Sequence, residues 1–129
     1  MIGIWQSSAD IFLIVAGVAM IAAFGLPLMI VPMGWARLFR WQVPQPQELA
    51  TFLGRSVGVF ISIMAVFSFK AAQNSAARPF FFDLMLWLFG AMIVLHVYGA
   101  IRKAQPITET LEIVLWVVLS AVTLGFYPV

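Results

Sequence analysis

The sequence predicts an all-α fold, an integral membrane up-down-up-down four-helix bundle forming a single domain over residues 1–129. Three observations carry that expectation. The stretches 11–31, 49–69, 80–101 and 107–126 are almost wholly apolar, and each has the roughly 20 residues that carry a helix across a hydrocarbon core of about 30 Å. The composition is 64% hydrophobic and 9% charged, whereas a soluble domain carries about 25% charged residues. Short connections join the stretches, which makes successive spans antiparallel neighbours.

The first span, 11–31, is expected to be retained and not removed as a secretory signal. Residues 1–10 hold no Lys or Arg, and the apolar run exceeds a signal core of about 7–15 residues. Asp10 is placed to cap it. Pro27 removes a backbone hydrogen bond inside the span and should kink it. The segment from Pro32 to Glu48 alternates Trp35, Phe39 and Trp41 with Arg37, Arg40 and Gln42, a pattern suited to a turn in the headgroup region. Pro44 and Pro46 stop any helix there, and Pro46 suits the first residue of the second span.

The second span, 49–69, carries Gly54, Gly58 and Ser62 four apart, matched by Ala16, Ala19 and Ala23 in the first. Such rows let helix backbones approach closely in lipid, either as bundle packing or as a self-dimerising face. The loop Lys70–Pro79 is short and polar. Asp83 is expected in the first turn of the third span, where the helix dipole favours a carboxylate, as Glu48 is in the second. The corner 102–106 is tight enough to make spans three and four a hairpin.

Face B, the end holding residues 32–48 and 102–106, carries Arg37, Arg40, Arg102 and Lys103, against Lys70 and Arg78 at the other end. The positive-inside rule therefore puts both termini away from the cytoplasm. The net charge of +2 offers no dense basic patch, so nucleic acid is not an expected partner. The absence of cysteine excludes disulfides, thiolate metal sites and thiol catalysis. A lone histidine, His96, cannot supply a bis-histidine haem or a multi-histidine metal site within one subunit, and the cofactor is unknown.

Ionisable groups inside the spans are costly and are functional candidates for that reason. Arg55 lies about 9 Å along the second span, and His96 and Glu112 each lie about 8 Å in from the same end, so all three share one layer. Glu109, Glu112, Trp116, Ser120, Thr123 and Tyr127 recur at steps of three or four on the fourth span, a polar and aromatic stripe that should face the interior. The expectation is an Arg55–Glu112 ion pair with His96 and Glu109 beside it. Either that pair fixes helix register, or Arg55, His96, Glu109, Glu112, Trp116, Ser120 and Thr123 line a ligand pocket. Trp5, Trp35, Trp41 and Tyr127 sit at span ends as interfacial anchors, while Trp87 and Trp116 lie deeper and could line such a pocket.

The stretch from Glu48 through Gly54-Arg55-Ser56-Val57-Gly58, with its small-residue continuation, resembles bacterial DoxX-like inner-membrane proteins. That family consists of small four-helix proteins in which an arginine–glycine helix recurs. The resemblance covers size, topology and this one stretch. It implies a fold and a bacterial inner-membrane location but no activity, because the family is functionally mixed. Only Arg55 and Gly58 carry over, with no catalytic role.

Two non-enzymatic readings lead. The bundle could bind a lipophilic molecule, such as a quinone, lipid, sterol or carotenoid, with its head group at Arg55, His96 and Glu112. It could instead be an accessory subunit of a larger membrane assembly, or a homo-oligomer, surrounded by membrane lipid. A small membrane enzyme using His96 and Glu112 for proton transfer and an oligomeric transporter are the alternatives. One histidine and two glutamates match no specific catalytic signature, so no catalytic or metal residue is assigned.

Overall fold

The computed structural model describes all of residues 1–129 and is entirely helical. It holds α1 (Gln6–Ile30), a short α2 (Pro32–Leu38), α3 (Glu48–Gln73), α4 (Arg78–Ile101) and α5 (Ile107–Phe126). All but α2 are long and apolar enough to cross a membrane.

α1 opens with a 3-10 turn at Gln6–Ser8, so Asp10 falls inside its first α-helical turn and caps nothing. Pro27 acts through the residues before it. Having no N–H, it cannot bond the carbonyl four residues back, which is that of Ala23. The helix widens there into a π turn over Ile21–Gly25, a single-turn bulge of the kind found inside α-helices. The Trp35 indole N–H, brought back by α2, donates to the Ala23 carbonyl at 3.0 Å. Trp35 is thus a tertiary cap for α1.

α1 packs on α3 through small residues. A Cβ on Gly58 would stand 2.6 Å from the Met29 nitrogen and 2.8 Å from the Gly25 oxygen. One on Gly25 would stand 2.6 Å from Ser62 Oγ, and one on Gly54 would stand 2.7 Å from Pro32 Cβ. The row Gly54–Gly58–Ser62 is therefore consumed inside the chain. Ser68, fully buried, donates to the Leu13 carbonyl at 2.7 Å. α3 starts at Glu48, two residues after Pro46.

At the end away from face B, Leu13, Ala72, Phe82, Met85 and Phe89 form a core with Trp116. Arg78 completes it by donating to the last carbonyls of α3, Ala71 (3.3 Å) and Ala72 (2.6 Å), groups that a helix C-terminus leaves unbonded. Asp83 lies beyond the first turn of α4 and serves as a hydrogen-bond acceptor. The Tyr127 hydroxyl donates to it at 2.8 Å, a bond that raises the Tyr127 pKa above the ordinary phenol value. Backbone bonds from Gly3 to Leu124 and from Trp5 to Gly125 tie the start of the chain to the end of α5.

Only 22 of 129 residues are buried, and large apolar side chains cover the outside of every long helix. Trp87 is among them at 80% exposure, so it lines no interior pocket. Its neighbours Phe82, Met85 and Phe89 take the inward face of α4 instead.

Candidate functional site

The site is built at the α4–α5 corner. Lys103 adopts the left-handed conformation (φ 52°) that commonly closes a helix C-terminus, and the Ala104 N–H bonds back to the Gly99 carbonyl. The Gln105 side chain then folds over α4, donating to the His96 carbonyl at 2.9 Å and to Thr110 Oγ1 at 3.1 Å. It lies so close over Gly99 that any Cβ there would collide with its amide. This corner sets the first turns of α5 against His96.

His96, with its side chain 4% exposed, faces both glutamates: its Nε2 lies 3.2 Å from Glu109 Oε2 and 3.5 Å from Glu112 Oε2. Its Nδ1 lies 2.7 Å from the Met92 carbonyl oxygen. A carbonyl only accepts, so Nδ1 carries a proton, and the charge state of the ring is decided at Nε2. Glu109 is fixed from its other side by the Trp41 indole N–H, which donates to Oε1 at 2.9 Å. Thr108 adds a hydrogen bond to the Phe39 carbonyl, so the segment after α2 lies against the start of α5.

Trp116 stands one turn beyond Glu112, its ring centroid 6.0 Å from His96 and 5.7 Å from Phe89. Its indole N–H lies beside the Glu112 carboxylate but completes no hydrogen bond, although the residue is only 8% exposed. Thr123 is fully buried with its hydroxyl unpaired. Ser120 donates to the Trp116 carbonyl of its own helix at 2.8 Å. The fourth-span stripe thus faces inward, its upper part packed among aromatic rings.

Of the seven residues singled out from the sequence, the structure brings together His96, Glu109, Glu112 and Trp116. Arg55 is not among them, and the expected Arg55–Glu112 pair does not form: the ion pairs present both belong to His96. α3 turns Gly54 and Gly58 toward α1, and one residue beyond Gly54 is a rotation of about 100°. Arg55 therefore emerges on the outside of α3, exposed, in a shallow groove with Gln45, Gln47, Glu48 and Thr51. A second groove, between α1 and α3, is lined by Met29, Val59, Ser62, Ile63, Val66 and Phe67. Neither groove reaches the histidine cluster.

No local pattern marks Trp41, Gln105 or the Met92 carbonyl as parts of this site. Trp41 reads as an interfacial aromatic and Gln105 as a loop residue until the corner folds. Chemically, an imidazole nitrogen and two carboxylates converge within 4.8 Å of one another, an arrangement that holds positive charge. No family model, no curated protein and no solved structure matches this chain.

Proposed function

We propose that this chain is a four-span integral membrane protein, up-down-up-down, serving as a non-catalytic accessory subunit that docks on a larger membrane assembly through α3. The observation that carries the reading is Arg55. It lies about 10 Å along α3 from Glu48, exposed, with no carboxylate of its own chain paired to it. An arginine at that depth is costly unless an anionic group meets it. Along the same helix Phe52, Phe60, Val66 and Phe67 point outward. An apolar helix face bearing one unpaired cation fits a transmembrane helix of a partner subunit that carries a carboxylate opposite Arg55.

Face B supports the orientation. The bonds from Trp41 to Glu109 and from Thr108 to Phe39 hold the segment bearing Arg37 and Arg40 beside the corner bearing Arg102 and Lys103. Four basic residues at one end favour the cytoplasmic side there, with Met1 and Val129 on the other. A bacterial inner membrane, with bound lipid on the remaining faces, agrees with the DoxX-like character of Gly54 to Gly58.

The test is photo-crosslinking in native membranes from a probe residue at Phe60, with the adduct sequenced. The expected product is one discrete heterologous adduct whose crosslinked peptide is a membrane span containing Asp or Glu, lost in Arg55→Leu. Adducts with lipid alone, or with a second copy of this chain, would overturn the accessory role.

A further inference from the structure

We propose that His96, Glu109 and Glu112 bind a divalent first-row transition cation of the zinc or manganese class. The site lies between α4 and α5, away from the α3 face, and stands independently of the docking reading. Its distances are the first argument. Charge-assisted hydrogen bonds of the N–H···O⁻ kind close to about 2.7–2.9 Å. The His96 Nε2 separations of 3.2 and 3.5 Å are longer than that. Bonds of about 2.0–2.2 Å to nitrogen and oxygen set neighbouring ligands about 3.3–3.6 Å apart around a tetrahedral ion. The two His96 separations lie close to two edges of such a polyhedron, and all three donor atoms lie within 4.8 Å of one another.

The second argument is the shell around the donors. Metal-binding imidazoles commonly give their other N–H to a backbone carbonyl, which fixes the ring and directs the remaining lone pair at the ion. His96 does this with the Met92 carbonyl at 2.7 Å. Ligating carboxylates are themselves held by donors, and Trp41 holds the far oxygen of Glu109. Charge agrees as well: a neutral imidazole and two carboxylates sum to −2, which one divalent ion cancels in a site where isolated charge is costly.

Trp116 supplies the independent observation. Its N–H is more than nine-tenths buried, unpartnered and beside Glu112. Three protein donors leave a tetrahedral ion one open position. An acceptor bound there, such as water, would take the stranded N–H. The donor set of one imidazole and two carboxylates, without sulfur, suits zinc, manganese or ferrous iron over cuprous copper.

The experiment uses the full chain in detergent or nanodiscs, stripped with EDTA and titrated with Zn²⁺, Mn²⁺ and Co²⁺ by calorimetry. One ion per chain is expected, and Co²⁺ should give visible ligand-field bands. His96→Gln and Glu109→Gln should each weaken binding at least tenfold, while Asp10→Asn, outside the site, should leave it unchanged. Because either site variant could lose its fold, the wild type is also melted with Zn²⁺ and with EDTA; a rise in Tm with Zn²⁺ is expected. No binding by folded wild-type protein at submillimolar ion would overturn the proposal and leave the cluster holding a proton. Undiminished binding in folded His96→Gln would overturn it too, by placing the ion elsewhere.

Discussion

The helix pairs α1–α3 and α4–α5 are both strongly apolar but are joined by opposite means. Between α1 and α3 the contact is made by missing side chains: Gly58 and Gly25 let the two helices close on each other, and Ser68 bonds the Leu13 carbonyl. Between α4 and α5 it is made by large and polar side chains, with His96 against Glu109 and Glu112, and Trp116 against Phe89. In the membrane setting proposed above, helices gain little hydrophobic energy by meeting, so close packing or polar bonds hold them together. This molecule uses one solution for each pair. The first tolerates no added atom, and the second tolerates no unbalanced charge.

The largest effect should come from unbalancing that charge. His96→Ala leaves Glu109 and Glu112 facing each other without the imidazole that stands between them, and stranding a buried charged group costs about 3–5 kcal/mol. Glu112→Gln, which keeps shape and hydrogen-bonding capacity, should cost clearly less. Thermal unfolding in detergent reads both. Equal losses would mean that shape, not charge, holds α4 to α5.

An added methyl at Gly58 comes next. Its Cβ would meet two backbone atoms, at 2.6 and 2.8 Å, and backbone cannot swing aside as a side chain can. Gly58→Ala should cost about 1–3 kcal/mol by overpacking, and Gly90→Ala, where nothing lies within 4 Å, should be neutral or slightly stabilising. A neutral Gly58→Ala would show that α1 and α3 are not packed this closely.

The smallest effect tests how α1 tolerates its proline. Trp35→Phe removes the donor to the Ala23 carbonyl and should cost about 1 kcal/mol. In a Pro27→Ala background the helix regains its own N–H for that carbonyl, so Trp35→Phe should then cost less. A double-mutant cycle measures the coupling; strict additivity would separate Trp35 from the proline.

Much of this was legible because composition and period act locally. The four long helices are found where apolar runs of span length predict them, with boundaries extended by a few polar residues such as Gln6 and Gln73. The meeting of His96, Glu109 and Glu112 was also foreseeable. A five-residue corner leaves α4 and α5 little choice but to be neighbours, so residues equally far from it face each other. Arg55 was assigned to the same layer by the same depth argument, and there it failed. Depth along a helix follows from counting residues, whereas the direction a side chain faces depends on which neighbour the helix packs against.

By itself, then, the sequence determined the number, length and apolar character of the long helices, because each follows from about 20 consecutive residues and the rise of one helix. Through the shortness of one connection it also put His96, Glu109 and Glu112 in one layer, although it paired Glu112 with Arg55 and not with His96. Only the tertiary structure decided that Gly58 packs α3 on α1 and Gly54 packs it on Pro32 of α2, which turns Arg55 outward. The same holds for Trp35 supplying the hydrogen bond Pro27 lacks, and for Trp41 and Gln105 closing around the site. These depend on rotations about helix axes and on contacts up to 68 residues apart, which no local pattern encodes.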